Sequence, residues 1–421
     1  MTNSLTIHDL APLGDGVHRD GRARVYVARA LPGDVVEAKV QKAPGGILRG
    51  EMTRLVQASS HRAAAPCPHY EACGGCSLQH ASESFYRQWK VDTVRTALSR
   101  AGVEPRAWSK PVFVPPGTRR RVTFAAFKKG GTVTLGYFRR RSHKVTEIAS
   151  CLVADPAIMD LRRKLATVLA PVLQDGKTAD VFIQAVNGAF EVVITGPVGR
   201  KGRPDLDVLE TGARLAETLG LHRLSWRAQD HDEPEQIVAR APFVVRFGAL
   251  DVALPPLAFL QPTKAGEDAL VSAVTAQLPR KGRFADLFSG CGTFAGAMLA
   301  RGPVDAFESA APAVRALDKS KGAAPLRVTQ RDLFRMPMEA AEANRYDAIV
   351  FDPPRAGAAA QAKALASSAV KRIIGVSCNP LTFARDARTL ADGGYRLESV
   401  AVVDQFTWSH HVELVGAFTK G

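Results

Sequence analysis

No apolar run in the 421 residues reaches the roughly 20 that a helix needs to cross a bilayer. The opening Met1-Thr2-Asn3-Ser4 has neither the basic nor the apolar region of a secretory leader. These absences exclude a helical membrane protein and lead us to expect a cytoplasmic monomer with no membrane partner. Acidic residues are in deficit: 41 Asp and Glu face 56 Lys and Arg, for a net charge of +15. That balance favours a polyanionic partner, nucleic acid first. Cysteine is scarce, with six in the whole chain, too few for the disulfide framework of a secreted scaffold. In a cytosolic chain they point to metal or catalytic roles. Internal repeats and low-complexity tracts are missing too, which excludes a solenoid. What remains is a globular composition, 46% hydrophobic and 23% charged, long enough for two or three domains.

Residues 1–57 alternate short apolar runs with turn signals such as Leu31-Pro32-Gly33-Asp34 and Pro44-Gly45-Gly46. Arg24-Val25-Tyr26-Val27 and Val35-Val36-Glu37-Ala38-Lys39-Val40 read as strands between them. The pattern predicts a small OB-like β-barrel, a fold that commonly binds nucleic acid. Residues 58–250 form the second predicted domain. It opens with Cys67, Cys73 and Cys76 at spacings of five and two, with Gly74 and Gly75 letting the backbone wrap closely. Three thiolates on one tight loop call for a metal centre, and Cys151 is the obvious fourth ligand. Spacing alone does not separate a structural zinc from a 4Fe-4S cluster. Helical spacing of apolar residues follows over 83–100. From 118 to about 250 the pattern is mainly β, and Arg119-Arg120-Arg121 and Arg139-Arg140-Arg141 flank a hairpin rich in aromatics. Such clusters suit phosphate contacts beside stacked bases.

Beyond Pro255-Pro256 the period changes to strand alternating with helix, which predicts a doubly wound parallel sheet over residues 251–421. Candidate strands are 283–288, 303–308, 325–330, 346–351 and 371–377. A closing pair, 395–403 and 411–418, has no helix between its members, so one of the two must run antiparallel. That arrangement is the one of methyltransferases that use S-adenosylmethionine. The loop Asp286-Leu287-Phe288-Ser289-Gly290-Cys291-Gly292-Thr293 has two glycines of the dinucleotide fingerprint, but Ala295 replaces the third, which disfavours a pyrophosphate. Glu308 at the end of the second strand can accept hydrogen bonds from ribose hydroxyls, and Asp332 after the third is in reach of an adenine amine. Together they form an adenosine pocket. The fourth strand exits through Asp352-Pro353-Pro354-Arg355, a rigid segment that holds its carboxylate over that pocket. The fifth ends at Ser377-Cys378-Asn379-Pro380, presenting a thiol where ligands of open α/β sheets bind.

Cys-x5-Cys-x2-Cys, Phe259-Leu260-Gln261, the Asp286 loop, Asp352-Pro353-Pro354-Arg355, Ser377-Cys378-Asn379-Pro380 and His411-Val412-Glu413 occur in the order found in RNA 5-methyluridine methyltransferases. The sequence resembles that family over essentially its whole length. It looks most like the 23S rRNA branch, in which a TRAM domain and a 4Fe-4S cluster accompany the catalytic domain; the tRNA branch typically lacks both. The resemblance implies methylation of carbon 5 of a uridine, in rRNA rather than tRNA, with S-adenosylmethionine as donor. It also implies that Gln261, Phe288, Thr293, Glu308, Asp332 and Asp352 line the cofactor site. The chain departs from the family where Pro262-Thr263 replaces Val-Asn, where Thr293 replaces Asn, and near Lys319-Ser320.

The chemistry accounts for the constellation separately. Carbon 5 of uracil is too weak a nucleophile for a sulfonium methyl, so a thiolate must first add to carbon 6. Cys378 is the expected nucleophile. After methyl transfer a base must remove the proton left on carbon 5, and Glu413 is the candidate; Asp352 would orient the uracil or the cofactor. Three other readings stay open: uridine methylation of tRNA by the same mechanism, an amine methyltransferase built on Asp352-Pro353-Pro354 with Cys378 structural, and an RNA-binding scaffold that only senses the cofactor.

Overall fold

The computed structural model describes residues 2–21 and 23–421. It contains two compact units: Met1–Thr93 with Phe138–Lys144 and Phe406–His411, and Val94–Tyr137 with Val145–Gln405 and Val412–Gly421. No described helix is long and apolar enough to cross a membrane.

In the first unit a six-stranded sheet runs in the order Thr2–Thr6, Val35–Lys42, Leu48–Gln57, Ala23–Val27, Gly16–Asp20, Asp9–Leu10. Alternation along its strands turns Val25, Val27, Val36 and Ala38 inward onto Leu5 and Ile7. The Pro32-Gly33-Asp34 turn owes its acid to structure. Asp34 is fully buried, accepts from the N–H of Leu31 at 2.6 Å and of Ser59 at 2.8 Å, and pairs with Arg62 at 2.7 Å. The second arginine cluster also turns to an internal partner. Arg140 and Arg141 both reach buried Asp15, at 3.2 and 2.7 Å, so one carboxylate is shared between two cations and the cluster keeps a net positive charge.

The second unit holds two large sheets. The first has seven strands, ordered Val145–Glu147, Thr132–Phe138, Arg121–Lys129, Thr178–Val186, Ala189–Thr195, Arg223–Arg227, Glu235–Ala239. Strands predominate here, and two 13-residue helices that the expected mainly β pattern did not include, Pro156–Val168 and Leu206–Thr218, cover this sheet. Each starts on an aspartate cap, Asp155 accepting from Ala157 N–H and Asp205 from Val208 N–H. Their buried residues, among them Ile158, Leu161, Leu165, Val208 and Leu215, join one core with Phe124, Val181 and Ile194 of the sheet.

The second sheet has nine strands. Its main members are β1 (Phe284–Leu287), β2 (Val304–Glu308), β3 (Leu326–Gln330), β4 (Ala348–Phe351), β5 (Arg372–Ser377), β6 (Arg396–Asp404) and β7 (Glu413–Thr419), in the spatial order β3-β2-β1-β4-β5-β7-β6. The short strands Ala107–Trp108 and Val112–Phe113 pair with β6. The first five strands are parallel and β7 is antiparallel to β5, as the missing helix between the closing pair requires. Apolar residues fill both faces. Leu287, Ile349, Phe351 and Ile373 pack on one side, and Phe284, Val350, Ile374, Val376 and Val415 on the other.

Candidate active site

Strand periodicity decides which side chains meet. Asp286 in β1 shares the face of Phe284, and the alternation of β4 and β5 carried one step beyond Val350 and Val376 puts Asp352 and Cys378 on that same face. Glu413 opens β7 on the face of Val415. The β5–β7 register pairs Ser377 with Leu414, so its next step sets Cys378 opposite Glu413. A thiol and three carboxyls therefore converge at the carboxyl edge of the sheet, from four strands far apart in sequence.

The turns around them are tied down. Asn379 caps helix α3 (Pro380–Asp392), its Oδ1 accepting from Leu381 N–H at 3.2 Å while its Nδ2 donates to the Arg355 carbonyl at 3.0 Å. Thr382 donates to the same carbonyl at 3.2 Å, and Asp386 accepts from Ala358 N–H at 2.7 Å. The segment after Asp352 is thus held on the start of α3. Gly357 permits the approach: a Cβ there would stand 2.7 Å from Asp386 Oδ2 and 2.8 Å from Thr382 Cβ.

Burial raises the proton affinity of every acid in the group, and charge repulsion adds to it at Glu413 and Asp286. Glu413 is pushed up to about 8, first by burial and then by the charge of Asp352, against a hydrogen bond from Gln405. Burial alone takes Asp352 to about 7. Burial, a smaller share from Asp352 and less again from Glu308 hold Asp286 well above the ordinary carboxylate range. The Cys378 thiol is pushed up to about 12 by burial, then by Glu413 and Asp352, with Arg355 acting in the opposite direction. A pocket that resists ionising its own acids favours a cationic ligand, because a nearby positive charge restores them.

The residues predicted to bind the cofactor fit such a ligand. Phe288 takes a left-handed φ of 62°, which swings the chain out of β1, and its ring lies 5.4 Å from that of Phe334. Gly290 donates its N–H to Glu308 Oε2 at 2.9 Å, fixing the carboxylate at the end of β2, while Glu308 Oε1 accepts from Ser309 and Ala310 N–H. Thr293 starts the short helix α2 (Thr293–Met298), whose cap Gly292 has a φ of 95°. Asp332 follows β3 and accepts from Phe334 N–H at 2.9 Å. Asp286 Oδ2 accepts from Ala295 N–H at 2.8 Å, but its Oδ1 and the Ser289 hydroxyl are buried without a protein partner, open to a polar ligand group. A donor with a sulfonium, an ammonium and a ribose matches these acids and orphaned oxygens. Gln261 sits deeper, 3% exposed, with its Oε1 accepting from Gln405 Nε2 at 2.6 Å. Sequence motifs gave no role to Asp286 or Gln405. The signal available for Asp286 was a lone acid inside the apolar run Phe284-Ala285-Asp286-Leu287; Gln405 has none.

Two expectations change at the Gln261 loop. Arg120 and Arg121 do not offer themselves to phosphates. Arg120 is 7% exposed, pairs with buried Glu267 at 2.5 Å and donates to the Gln261 carbonyl at 3.0 Å; Arg121 donates to the Leu260 carbonyl at 2.6 Å. They clamp the loop that carries Gln261, with the Arg121 guanidinium 4.8 Å from the ring of exposed Phe259. The departure at Thr263 is also absorbed, since its hydroxyl caps helix α1 (Lys264–Gln277) by accepting from Gly266 N–H at 3.0 Å.

The expected metal centre is not assembled. Among the described residues no three Cys, His, Asp or Glu are gathered to hold a metal ion. Cys67, Cys73 and Cys76 are half-buried on one loop of the first unit, where Cys73 Sγ accepts from Gly75 N–H at 3.3 Å; Cys151 belongs to the second unit and packs on its apolar core.

The model of the family described as tRNA (Uracil-5-)-methyltransferase matches residues 326–420. An "Uncharacterized RNA methyltransferase" of Caulobacter vibrioides is 39% identical over 426 residues, spanning 99% of both chains. The 23S rRNA (uracil(1939)-C(5))-methyltransferase RlmD of Halomonas elongata is 31% identical over 97% of this chain and 88% of its own. Among solved structures, the Pyrococcus abyssi tRNA (uracil-54, C5)-methyltransferase in complex with S-adenosyl-L-homocysteine superposes with a TM-score of 0.77 over 99% of each chain, at 20% identity. The last likeness is one of fold.

Proposed function

The chain belongs to the RNA (uracil-5-)-methyltransferase family, and from that premise we propose that it methylates carbon 5 of a uridine in 23S rRNA through a covalent adduct on Cys378. The observation that carries the reading is that Cys378, one step past the last β5–β7 pair, feels the charges of both Glu413 and Asp352. S-adenosylmethionine supplies the electrophilic methyl group when bound. Gln261, Phe288, Thr293, Glu308, Asp332 and Asp352 would hold it, with Asp286 and Ser289 offering the oxygens noted above.

The rest is done by the protein. The Cys378 thiol gives its proton to solvent, the thiolate sulfur forms a bond to carbon 6 of the uracil, and the electron pair of the 5,6 double bond moves toward carbon 5 and the 4-carbonyl. Carbon 5 takes the methyl group as the bond from that methyl to the donor's sulfonium sulfur breaks, and the donor would leave as a neutral thioether. Glu413 removes the remaining proton from carbon 5, the double bond re-forms, and the sulfur leaves carbon 6. Asp352, at the same edge, orients the uracil or the methyl donor. The retained proton affinity of Glu413, about 8, suits a base that must ionise near neutrality and receive a proton from carbon.

The resemblance of residues 1–57 to a TRAM barrel supports an RNA-docking role for them, with 58–250 as the central domain and 251–421 as the catalytic one, in a cytoplasmic monomer. The expected target is tested by mass mapping of 23S rRNA and tRNA from a strain lacking the gene. A single 5-methyluridine lost from 23S rRNA, and restored by the gene, supports the reading; a loss confined to tRNA overturns the rRNA assignment.

For Cys67, Cys73, Cys76 and Cys151 the reading rests on spacing and family resemblance. We retain a 4Fe-4S cluster as the group they hold, and route no step of the reaction through it. Protein purified without oxygen should then be brown and carry about four irons per chain. Active, colourless protein with one zinc or no metal overturns the cluster.

A further inference from the structure

Gln405 joins two residues of the site that no motif connects. It follows β6, is 1% exposed, and its Nε2 donates to Gln261 Oε1 at 2.6 Å while standing 3.5 Å from Glu413 Oε1. An ionised carboxylate only accepts, so the Gln405 amide nitrogen must face Glu413, and the same nitrogen fixes which end of the Gln261 amide is occupied. Space has been made for this side chain. A Cβ on Gly266 in α1 would lie 2.7 Å from Gln405 Cβ and 2.3 Å from its Oε1, an oxygen otherwise buried without a partner.

We propose that Gln405 is a positioning residue for the reaction: one amide orients Glu413 for abstraction of the carbon 5 proton and turns the Gln261 amide nitrogen toward bound ligands. The proposal rests on the reading of Glu413 as the base. The charged and titratable groups facing Glu413 are Asp352, which disfavours its ionisation, and Cys378, whose own ionisation Glu413 disfavours, with Arg355 acting on Cys378. Gln405 is the group that favours the ionised form, so its donor matters most when Glu413 must act as a base. Removing the donor should raise the pH at which the adduct is released and weaken the methyl donor's site through Gln261.

The test uses the full chain, S-adenosylmethionine, and 23S rRNA from a strain lacking the gene, in single-turnover reactions from pH 6 to 10. Gln405→Met removes the donor at similar volume; Gln405→Glu keeps the shape but places a carboxyl beside Glu413. For Gln405→Met, adduct formation and adduct release are followed separately. Release of the denaturation-resistant adduct should shift its pH profile upward by about one unit, and the dissociation constant for S-adenosylmethionine, measured without RNA, should rise severalfold. Gln405→Glu should shift the profile further, which a role in packing alone would not produce. If wild type traps 5-fluorouridine RNA and both variants release on the wild-type pH profile, the role of Gln405 is overturned while the covalent reading stands. Wild type that transfers methyl without ever trapping overturns the covalent reading, and this proposal with it.

Discussion

Cys378→Ala is expected to abolish methyl transfer, with a loss on the order of 10⁴-fold or more, because the sulfur acts as one unit with the base and either removal stops the cycle. Binding should survive. The side chain is half-buried at the end of β5 and carries none of the contacts that hold the Asp352 segment, which run through Asn379 and Thr382 instead. Calorimetry with S-adenosylmethionine should therefore give a dissociation constant within a fewfold of wild type. The positive counterpart is RNA carrying 5-fluorouridine at the target: with fluorine in place of the abstracted proton, wild-type enzyme should form a complex that survives denaturing electrophoresis. The rate of trapping should rise with pH throughout the neutral range, since the thiol is held up to about 12 and only the thiolate adds. A Cys378→Ala enzyme that still methylates RNA would sink the covalent mechanism and favour amine chemistry on Asp352-Pro353-Pro354.

The strands of residues 251–421 are legible because the candidate site residues stand at strand ends, where a break in an apolar run marks the end of the strand. Phe351 before Asp352-Pro353-Pro354 and Val376 before Ser377-Cys378-Asn379-Pro380 end strands in the structure within a residue or two of the reading. The last strand begins at Glu413 instead of 411, and the carbonyl of His411 is occupied by the buried Lys90 ammonium. Elsewhere the competing signals were misjudged. Asp155-Pro156 and Asp205 are aspartate caps before helical spacing, yet the β-rich neighbourhood hid both helices. Arg120 and Arg140 look alike in sequence to any exposed arginine, and only the fold brings Glu267 and Asp15 to them. Gln405 could not be read at all, because its meaning depends on Gln261, 144 positions earlier.

Glu413→Gln should separate the two halves of the reaction. Addition of sulfur and transfer of the methyl group precede the base, so ordinary RNA, without fluorine, should accumulate as a methylated adduct whose release is slowed by at least about 100-fold. In wild type the release step should fall about tenfold for each pH unit below 8, as Glu413, held up to about 8, becomes protonated. The variant should lose that dependence. Stability gives an independent check with a definite sign. The carboxyl has an ordinary value of 4.5 and a folded value of about 8, so the folded state binds the extra proton and wild-type stability falls as pH rises between those values. Glutamine carries no such burden. Without ligands, Glu413→Gln should therefore melt above wild type at pH 8, and the difference should close as the pH falls below 4.5, where the wild-type carboxyl is neutral in both states. A variant that releases product normally would remove Glu413 as the base. One that melts below wild type at pH 8 would mean that Glu413 is held as a stabilising charge, and that the proton on carbon 5 leaves by way of Asp352 or solvent.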